Sequence, residues 1–121
     1  MSKFTTLLIG LVSIMMCSPH AFSAQLPHAH IASPNHYEVL LDNSEVLVLR
    51  MTLAPGEQDN WHTHNAETVY FETGGKATIS TKESQTTLEI PNGYVMWHDT
   101  WTHQVKNEGE TTITAIIVER K

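Results

Sequence analysis

Apolar and polar residues alternate along most of the chain after residue 36, in short segments that end at glycine, proline or asparagine. In residues 46–53, every second position from Leu47 to Leu53 is apolar, and Arg50 and Thr52 fall between them. Successive side chains of a β-strand point to opposite faces, so this alternation predicts a strand with one buried face. Ala54-Pro55-Gly56 ends the strand, because proline and glycine interrupt regular pairing.

The remaining sequence predicts further strands of the same kind. His62 to Thr73 predicts one continuous strand that ends at a pair of glycines. Other predicted strands run over Lys76 to Thr81, Thr86 to Ile90, Tyr94 to His98, Thr102 to Lys106 and Thr111 to Glu119. No segment after residue 36 has a sustained helical period. Seven or eight short strands therefore predict a single all-β domain, a sandwich or barrel, over residues 37–121.

The first 24 residues have a different character. Lys3 precedes a charge-free apolar run from Leu7 to Met16, and small residues follow up to Ala24. This order predicts a cleaved export signal, since a membrane-spanning helix needs about 20 apolar residues. We therefore expect a periplasmic or secreted protein, cleaved just before or just after Ala24, which the intact mass of the exported chain would check. Lipid attachment at Cys17 is disfavoured, because the residue before it is not small.

Composition restricts the partners of the chain. The 121 residues carry a net charge of −6, and cleavage after residue 24 would remove Lys3 and no acidic residue, leaving −7. This acidity disfavours nucleic acid and anionic membrane surfaces as partners. Cys17 is the only cysteine, so the cleaved chain would have no disulfide and no thiolate metal ligand. About 97 residues make a small core, so we expect that a homodimer through an outer sheet face would add stability.

Residues 25–36 predict an extended N-terminal arm, because they contain Pro27 and Pro34 and little apolar periodicity. His28, His30 and His36 cluster in this arm. Two interpretations stay open: a mobile polar tail, or an auxiliary arm that captures metal. The entropy of ordering a flexible segment favours the first.

Histidines at the start of the predicted strand 62–73 have a spacing typical of metal ligands. His62 and His64 are two residues apart, so both point to one face, with Cα atoms about 6.6 Å apart. Two imidazoles at this spacing can bind one ion at about 2.0–2.1 Å. A neighbouring strand in a barrel can bring His103 beside the pair, and Glu67 can add a carboxylate if the chain bends. Such a set suits one divalent transition metal: Fe, Mn, Ni, Cu or Zn. Surface histidines are the alternative, disfavoured because an apolar strand follows directly.

These residues resemble the first of two motifs of the cupin superfamily. That motif is Gly, five residues, His-x-His, three or four residues, Glu, six residues, Gly. It is matched by Gly56, His62, His64, Glu67 and Gly74, except that only two residues separate His64 from Glu67.

The second cupin motif, Pro-x-Gly-x-x-His-x-x-x-Asn, is matched in part. His103 and Asn107 match its end, whereas His98 and Thr100 stand where the motif has proline and glycine. The resemblance implies a double-stranded β-helix, which is a jelly-roll barrel, in a single domain. It also implies one metal near the barrel mouth, with Glu67 as a fourth ligand and as the catalytic base.

Glu67 poses a problem of strand parity. On a regular strand, Glu67 would lie on the opposite face from His62 and His64. It can face the metal only if the strand is irregular at Asn65-Ala66. We predict that irregularity, because Glu67 keeps the motif's spacing to Gly74.

Three classes of function stay open. The first is a metal-dependent enzyme, of the dioxygenase or isomerase type, acting on a small neutral or phenolic substrate. The second is a non-catalytic metal- or small-ligand-binding protein of the cell envelope, and the third is a structural barrel. Arg50 and Arg120 are the only arginines, which disfavours anionic sugar phosphates as the small-molecule ligand.

Overall fold

The structure, a computed structural model, describes residues 25–121, and the predicted export signal lies outside them. One short helix precedes nine strands. These are α1 (Ala29–Ala32), β1 (Tyr37–Asp42), β2 (Val46–Leu53), β3 (His62–His64), β4 (Glu67–Thr73), β5 (Gly75–Ser80), β6 (Gln85–Ile90), β7 (Val95–His98), β8 (Trp101–Asn107) and β9 (Ile113–Arg120). The predicted all-β class is confirmed, and most predicted strands lie within two residues of the observed ones.

Two antiparallel sheets face each other and form the barrel of a single domain. One has five strands in the order β1-β2-β9-β4-β7, and the other has four in the order β3-β8-β5-β6. The alternating residues Leu47, Leu49, Met51 and Leu53 of β2 are buried, as predicted, and so are Ile113, Ala115 and Ile117 of β9. The core therefore lies between the sheets, and side chains on the inward faces of β3, β4, β8 and β9 share one interior.

The prediction of one continuous strand from His62 to Thr73 is wrong, and the predicted irregularity at Asn65-Ala66 is confirmed. β3 pairs with β8 in the four-stranded sheet, whereas β4 pairs with β7 and β9 in the five-stranded sheet. The chain changes sheets over these two residues. The Asn65 side chain donates to the carbonyl of Arg120 at 3.0 Å, and the N–H of Arg120 donates to the carbonyl of Ala66 at 2.9 Å. Because each sheet has its own inward face, Glu67 points into the barrel although it is three residues after His64.

The predicted extended arm of residues 25–36 is wrong in conformation. Ala29–Ala32 form a one-turn helix in which Ala29 is fully buried. His28 pairs with Thr63 of β3 in an isolated bridge, and the N–H of Thr63 donates to the carbonyl of Pro27 at 2.9 Å. Tertiary contacts with β3 thus order a segment whose own sequence has no apolar period.

The outward face of the five-stranded sheet keeps apolar side chains exposed. Leu41, Val118 and Trp97 lie in one cross-strand row, and Tyr70 and Val95 lie in the next. A predicted homodimer would pack through this face, and it stays a prediction. Within residues 25–121, no helix has the length and apolar character to cross a membrane.

Candidate metal centre

Two neighbouring strands bring three histidines together. His62 and His64 are both on β3, and His103 on β8 lies directly opposite His62 in the antiparallel register. Their ring centroids are 4.6–5.1 Å apart, and all three side chains are buried. The predicted convergence of these three residues is therefore present, because the cross-strand pair of β3 and β8 places a residue 41 positions away beside the first histidine.

Hydrogen bonds at the outer edges of the rings indicate which nitrogen of each ring carries the proton. Nδ1 of His62 is 2.6 Å from the carbonyl oxygen of Asn60, and Nδ1 of His64 is 2.7 Å from Oε1 of Glu119. Both partners are acceptors, so both Nδ1 atoms are assigned as donors. The Nε2 atoms, which then carry lone pairs, lie 2.9 Å apart. Two lone pairs at this distance repel unless a cation lies between them.

The third histidine, His103, has ring nitrogens that no protein group satisfies. Both of its ring nitrogens are buried, and neither has a hydrogen-bond partner. An unsatisfied buried polar group is costly. One ligand nitrogen of each of the three histidines lies within 4.8 Å of the others, so the three are grouped closely enough to hold a single divalent ion. The residues present therefore fit the metal that the sequence predicts.

Glu67 faces the interior, as predicted. It lies beside the Nδ1 edge of the His64 ring, however, and not beside the Nε2 edge that faces His62. Its Oε2 atom is 3.1 Å from Nδ1 of His64, and its Oε1 atom accepts a hydrogen bond from the indole N–H of Trp101 at 3.0 Å. The carboxylate belongs to a second group of possible ligands, with His64 and Glu119. A fourth bond from Glu67 to an ion at the three histidines stays a prediction, as does its catalytic role.

Two buried carboxylates that the sequence analysis does not identify lie beside the histidines. Glu119 is the acceptor for His64, and it is 1% exposed. Asp59 accepts hydrogen bonds from Tyr37 at 2.6 Å and from the N–H of Val105 at 2.7 Å, and it lies 3.7 Å from Nδ1 of His62. A carboxylate that accepts from Nδ1, as Glu119 does from His64, orients a metal-binding imidazole and fixes its tautomer, whereas Asp59 lies beside His62 without a hydrogen bond to it.

Burial dominates the electrostatics of the site. It lowers the pKa of His62 from 6.5 to about 4, with a further lowering by His64 and an opposing effect of the hydrogen bond to Asn60. Burial and the two neighbouring histidines hold the pKa of His103 well below its usual range. Burial also raises the pKa of Glu67, against the opposing effects of His64 and Trp101. The imidazoles of His62 and His103 thus stay neutral, and able to bind a metal, at mildly acidic pH.

We expect acid to destabilise the metal-free protein through His62. Its folded pKa, about 4, is below the unfolded value of 6.5, so the unfolded chain binds more protons and stability falls as the pH drops through this window. As the pH falls from 6.5 through about 4, the unfolding free energy of the wild type should drop by about 3 kcal/mol more than that of His62→Gln, whose side chain gains no charge. Urea unfolding in chelator at several pH values measures this. Unfolding free energies that change in parallel with pH in the two proteins would contradict this prediction. Asp59 and Glu67, whose raised pKa values have the opposite effect on stability, are present in both proteins, so their contributions cancel in the difference.

Solved structures show which fold the chain shares. The chain matches a cupin domain from Bordetella pertussis Tohama I with a TM-score of 0.66 and 25% identity, over 81% of this chain and 98% of that chain. An RmlC-like cupin family protein with a double-stranded β-helix fold, from Methanocaldococcus jannaschii, matches with a TM-score of 0.56 and 16% identity, over 69% and 77%. This chain has the cupin fold.

Other matches agree on the fold alone. A predicted oxalate decarboxylase from Thermotoga maritima matches with a TM-score of 0.50 and 20% identity, over 70% of this cupin and 79% of that protein. No protein-family model and no curated protein matches by sequence.

The partial second motif of this cupin has a structural explanation at Asn107. The side-chain amide donates to the carbonyls of Leu53 and Thr111, and its oxygen accepts the N–H of Gly109 at 2.9 Å. Asn107 is fully buried, so these bonds join β2 to the turn before β9. Asn107, the last residue of β8, therefore fixes the backbone of the turn that follows it.

An apolar cavity of about 40 Å³ lies inside the barrel beside the histidines. His64, Glu67, Trp101 and His103 line it together with aliphatic and aromatic side chains. Trp101 also lines a larger outer groove, of about 620 Å³, together with His98, whose ring stacks on Trp101 at 3.6 Å. Trp101 therefore separates the inner cavity from the groove, and His98, where the motif has proline, lies in the groove wall.

Proposed function

We propose that this cupin is a metal-dependent enzyme of the oxygenase or isomerase type, with one divalent ion held by His62, His64 and His103. The observation that carries the proposal is the inward carboxylate of Glu67, which lines the apolar cavity beside these histidines. A divalent transition ion in such a centre supplies Lewis-acid or redox chemistry at its open positions. The proposal includes export to the periplasm or beyond, on the strength of residues 1–24.

Glu67 is the proposed acid–base residue. Its raised pKa brings the carboxyl group nearer to the range in which it can both accept and return a proton. The hydrogen bond from Trp101 to Oε1 fixes the carboxylate in the cavity wall. The other side chains that line the cavity are mostly apolar, so few protein groups there compete with a bound substrate for the proton of Glu67.

The two cavities suggest the kind of substrate. The inner cavity has room for about three water molecules, which fits dioxygen or the reacting end of a larger molecule. The outer groove, walled by Trp101 and His98, can hold a planar body against its aromatic rings. The described arginines lie elsewhere: Arg50 pairs with Glu38 and Glu72 outside the barrel, and Arg120 is exposed. A neutral or phenolic substrate therefore suits the site better than a phosphorylated one.

A non-catalytic metal- or small-ligand-binding protein is the second candidate. The small volume of the inner cavity favours it, because no molecule of more than a few atoms fits beside the histidines without movement of Trp101.

Metal analysis followed by oxygen-uptake and product assays separates the two candidates. The protein is purified from its native compartment, and the metal found in it is identified. The protein is then loaded with that metal and assayed with small phenols, thiols and diketones. The enzyme proposal predicts turnover that Glu67→Gln lowers by about 100-fold while the bound metal is retained. Glu72→Gln, on the outward face of the same strand, is the matched control and should keep full turnover. Bound metal without turnover across the panel favours the binding protein, and an equal rate in Glu67→Gln rejects Glu67 as the base.

A further inference from the structure

Trp101 borders every space from which the three-histidine centre can be approached. It lines the inner cavity of about 40 Å³, the outer groove of about 620 Å³ and a third hollow of about 400 Å³ beside Gln25 and Leu26. Ile79 also borders the inner cavity and the groove, but among the described residues Trp101 alone is common to all three walls. The indole is therefore the wall that the inner cavity shares with both outer spaces.

Two imidazoles flank the indole ring of Trp101. The ring of His98, in the groove wall, stacks on it at 3.6 Å with an angle of 17° between the planes. The ring of His103, beside the inner cavity, lies 3.9 Å from it at an angle of 44°. His103 is 5% exposed, and the indole covers it on the side of the groove. The space that the indole occupies thus has the shape of a flat ring.

One hydrogen bond fixes the indole in this position. The indole N–H is the only donor of the side chain, and it donates to Oε1 of Glu67 at 3.0 Å. The backbone of Trp101 is held separately, because it pairs with His64 at the start of β8. The side chain can therefore change rotamer without a change in the sheet, and the groove has room to receive the ring.

We propose that Trp101 determines which molecules reach the three-histidine centre, and that its hydrogen bond to Glu67 keeps the inner cavity closed. With this bond in place, the cavity accepts guests no larger than about three water molecules. A larger molecule reaches the histidines when the indole leaves Glu67 and turns into the groove. A flat ring of that molecule then takes the place of the indole between His98 and His103.

The consequence for substrate choice rests on the proposed function. Dioxygen fits behind the closed indole, whereas a planar organic substrate has to displace it. Displacement also frees Oε1 of Glu67 from its donor, so the acid–base group becomes available when the substrate is in place. The site therefore selects flat substrates over bulky ones. The barrier itself requires neither an ion nor turnover, so it can be tested in the metal-free protein.

Labelling of His103 with diethyl pyrocarbonate in chelator tests the barrier. This reagent acylates uncharged imidazole nitrogens and is much larger than the inner cavity. His103 is suited to it near pH 7, because burial holds its pKa well below its usual range and neither ring nitrogen has a protein partner. In the wild type, the reagent reaches His103 only by local opening, so labelling should be slow. Trp101→Ala should raise the initial rate by about tenfold or more, as measured by peptide mass mapping.

Two controls separate removal of the barrier from general loosening of the barrel. Trp97→Ala removes an indole from the outward face of β7, where the side chain is 52% exposed, and should leave the labelling of His103 at the wild-type rate. His62 is fully buried and does not line the inner cavity, so its labelling reports unfolding. It should stay unlabelled in every variant.

Two variants of Glu67 test the hydrogen bond that keeps the cavity closed. Glu67→Gln keeps an acceptor oxygen for the indole and should label like the wild type, whereas Glu67→Leu has a similar size but no acceptor and should label faster. Equal rates for His103 in the wild type and in Trp101→Ala overturn the barrier, and equal rates in the two Glu67 variants overturn the role of the bond. If His62 is labelled in Trp101→Ala, that variant is unfolded and the Glu67 pair decides. Absence of bound metal or of turnover rejects the proposed function instead, and leaves these rates unchanged.

Discussion

His103→Ala should weaken the binding of a divalent ion at the three-histidine centre by about tenfold or more. Loss of a partner that only orients a ligand costs about 10–100-fold in affinity, so loss of the ligand itself costs at least as much. His103 is the member with no protein partner on either nitrogen, so a bound ion would satisfy an otherwise unpaired buried group. His62→Ala and His64→Ala should have effects of the same size.

Calorimetric titration with Zn²⁺ measures this affinity. His98→Ala is the matched control, since His98 lies in the wall of the outer groove and should leave the affinity unchanged. Wild-type affinity in His103→Ala would remove the third ligand. Since only neutral imidazole binds, affinity should also fall with acid, but the lowered pKa of His62, about 4, places the loss from this ligand at a lower pH than the usual 6.5.

Gly74→Ala should lower the unfolding free energy by about 3 kcal/mol or more, with failure to fold as the extreme case. A Cβ atom at this position would lie 1.8 Å from the carbonyl oxygen of Ile90 and 2.9 Å from the carbonyl carbon of Pro91. Both are backbone atoms, so a side-chain rotation cannot relieve the overlap. The last glycine of the first cupin motif is thus explained by the close approach of two backbone segments.

Gly93→Ala is the matched control for the overlap. Its φ is +78° and a Cβ atom would meet nothing within 4 Å, so only backbone strain remains, worth about 1–2 kcal/mol. Urea unfolding of the two variants separates the effects. Equal losses would mean that the overlap at Gly74 is relieved by a small movement of the turn.

The two motif histidines and the later strand were enough to predict the three-histidine centre, because strand parity and metal chemistry depend on spacing alone. The same parity extends the inward face of β9 from Ile117 to Glu119, so the alternation of this strand could have identified that carboxylate. A charged residue at the end of an apolar strand ordinarily indicates that burial stops there. By this general rule, Glu119 is predicted to be exposed, and its burial is missed.

The position of His28 against the barrel could not be predicted from strand alternation. Nothing within residues 25–36 encodes their position, which depends on the bridge to Thr63 and on the burial of Ala29. Asp59 is similar, since its partners Tyr37 and Val105 are distant in sequence and lie on strands whose pairing partners the alternation does not specify.

The change of sheet at Asn65-Ala66 has a consequence for the order of folding. The three histidines lie on β3 and β8 in one sheet, whereas Glu67 and Glu119 lie in the other. The bond between His64 and Glu119 spans 55 residues of sequence and joins the two sheets. Contacts of this range form slowly, because a long loop must close before any interaction compensates for its entropy. The oriented His64 therefore arises only when the barrel closes, so we expect metal loading to follow the completion of folding rather than to guide it.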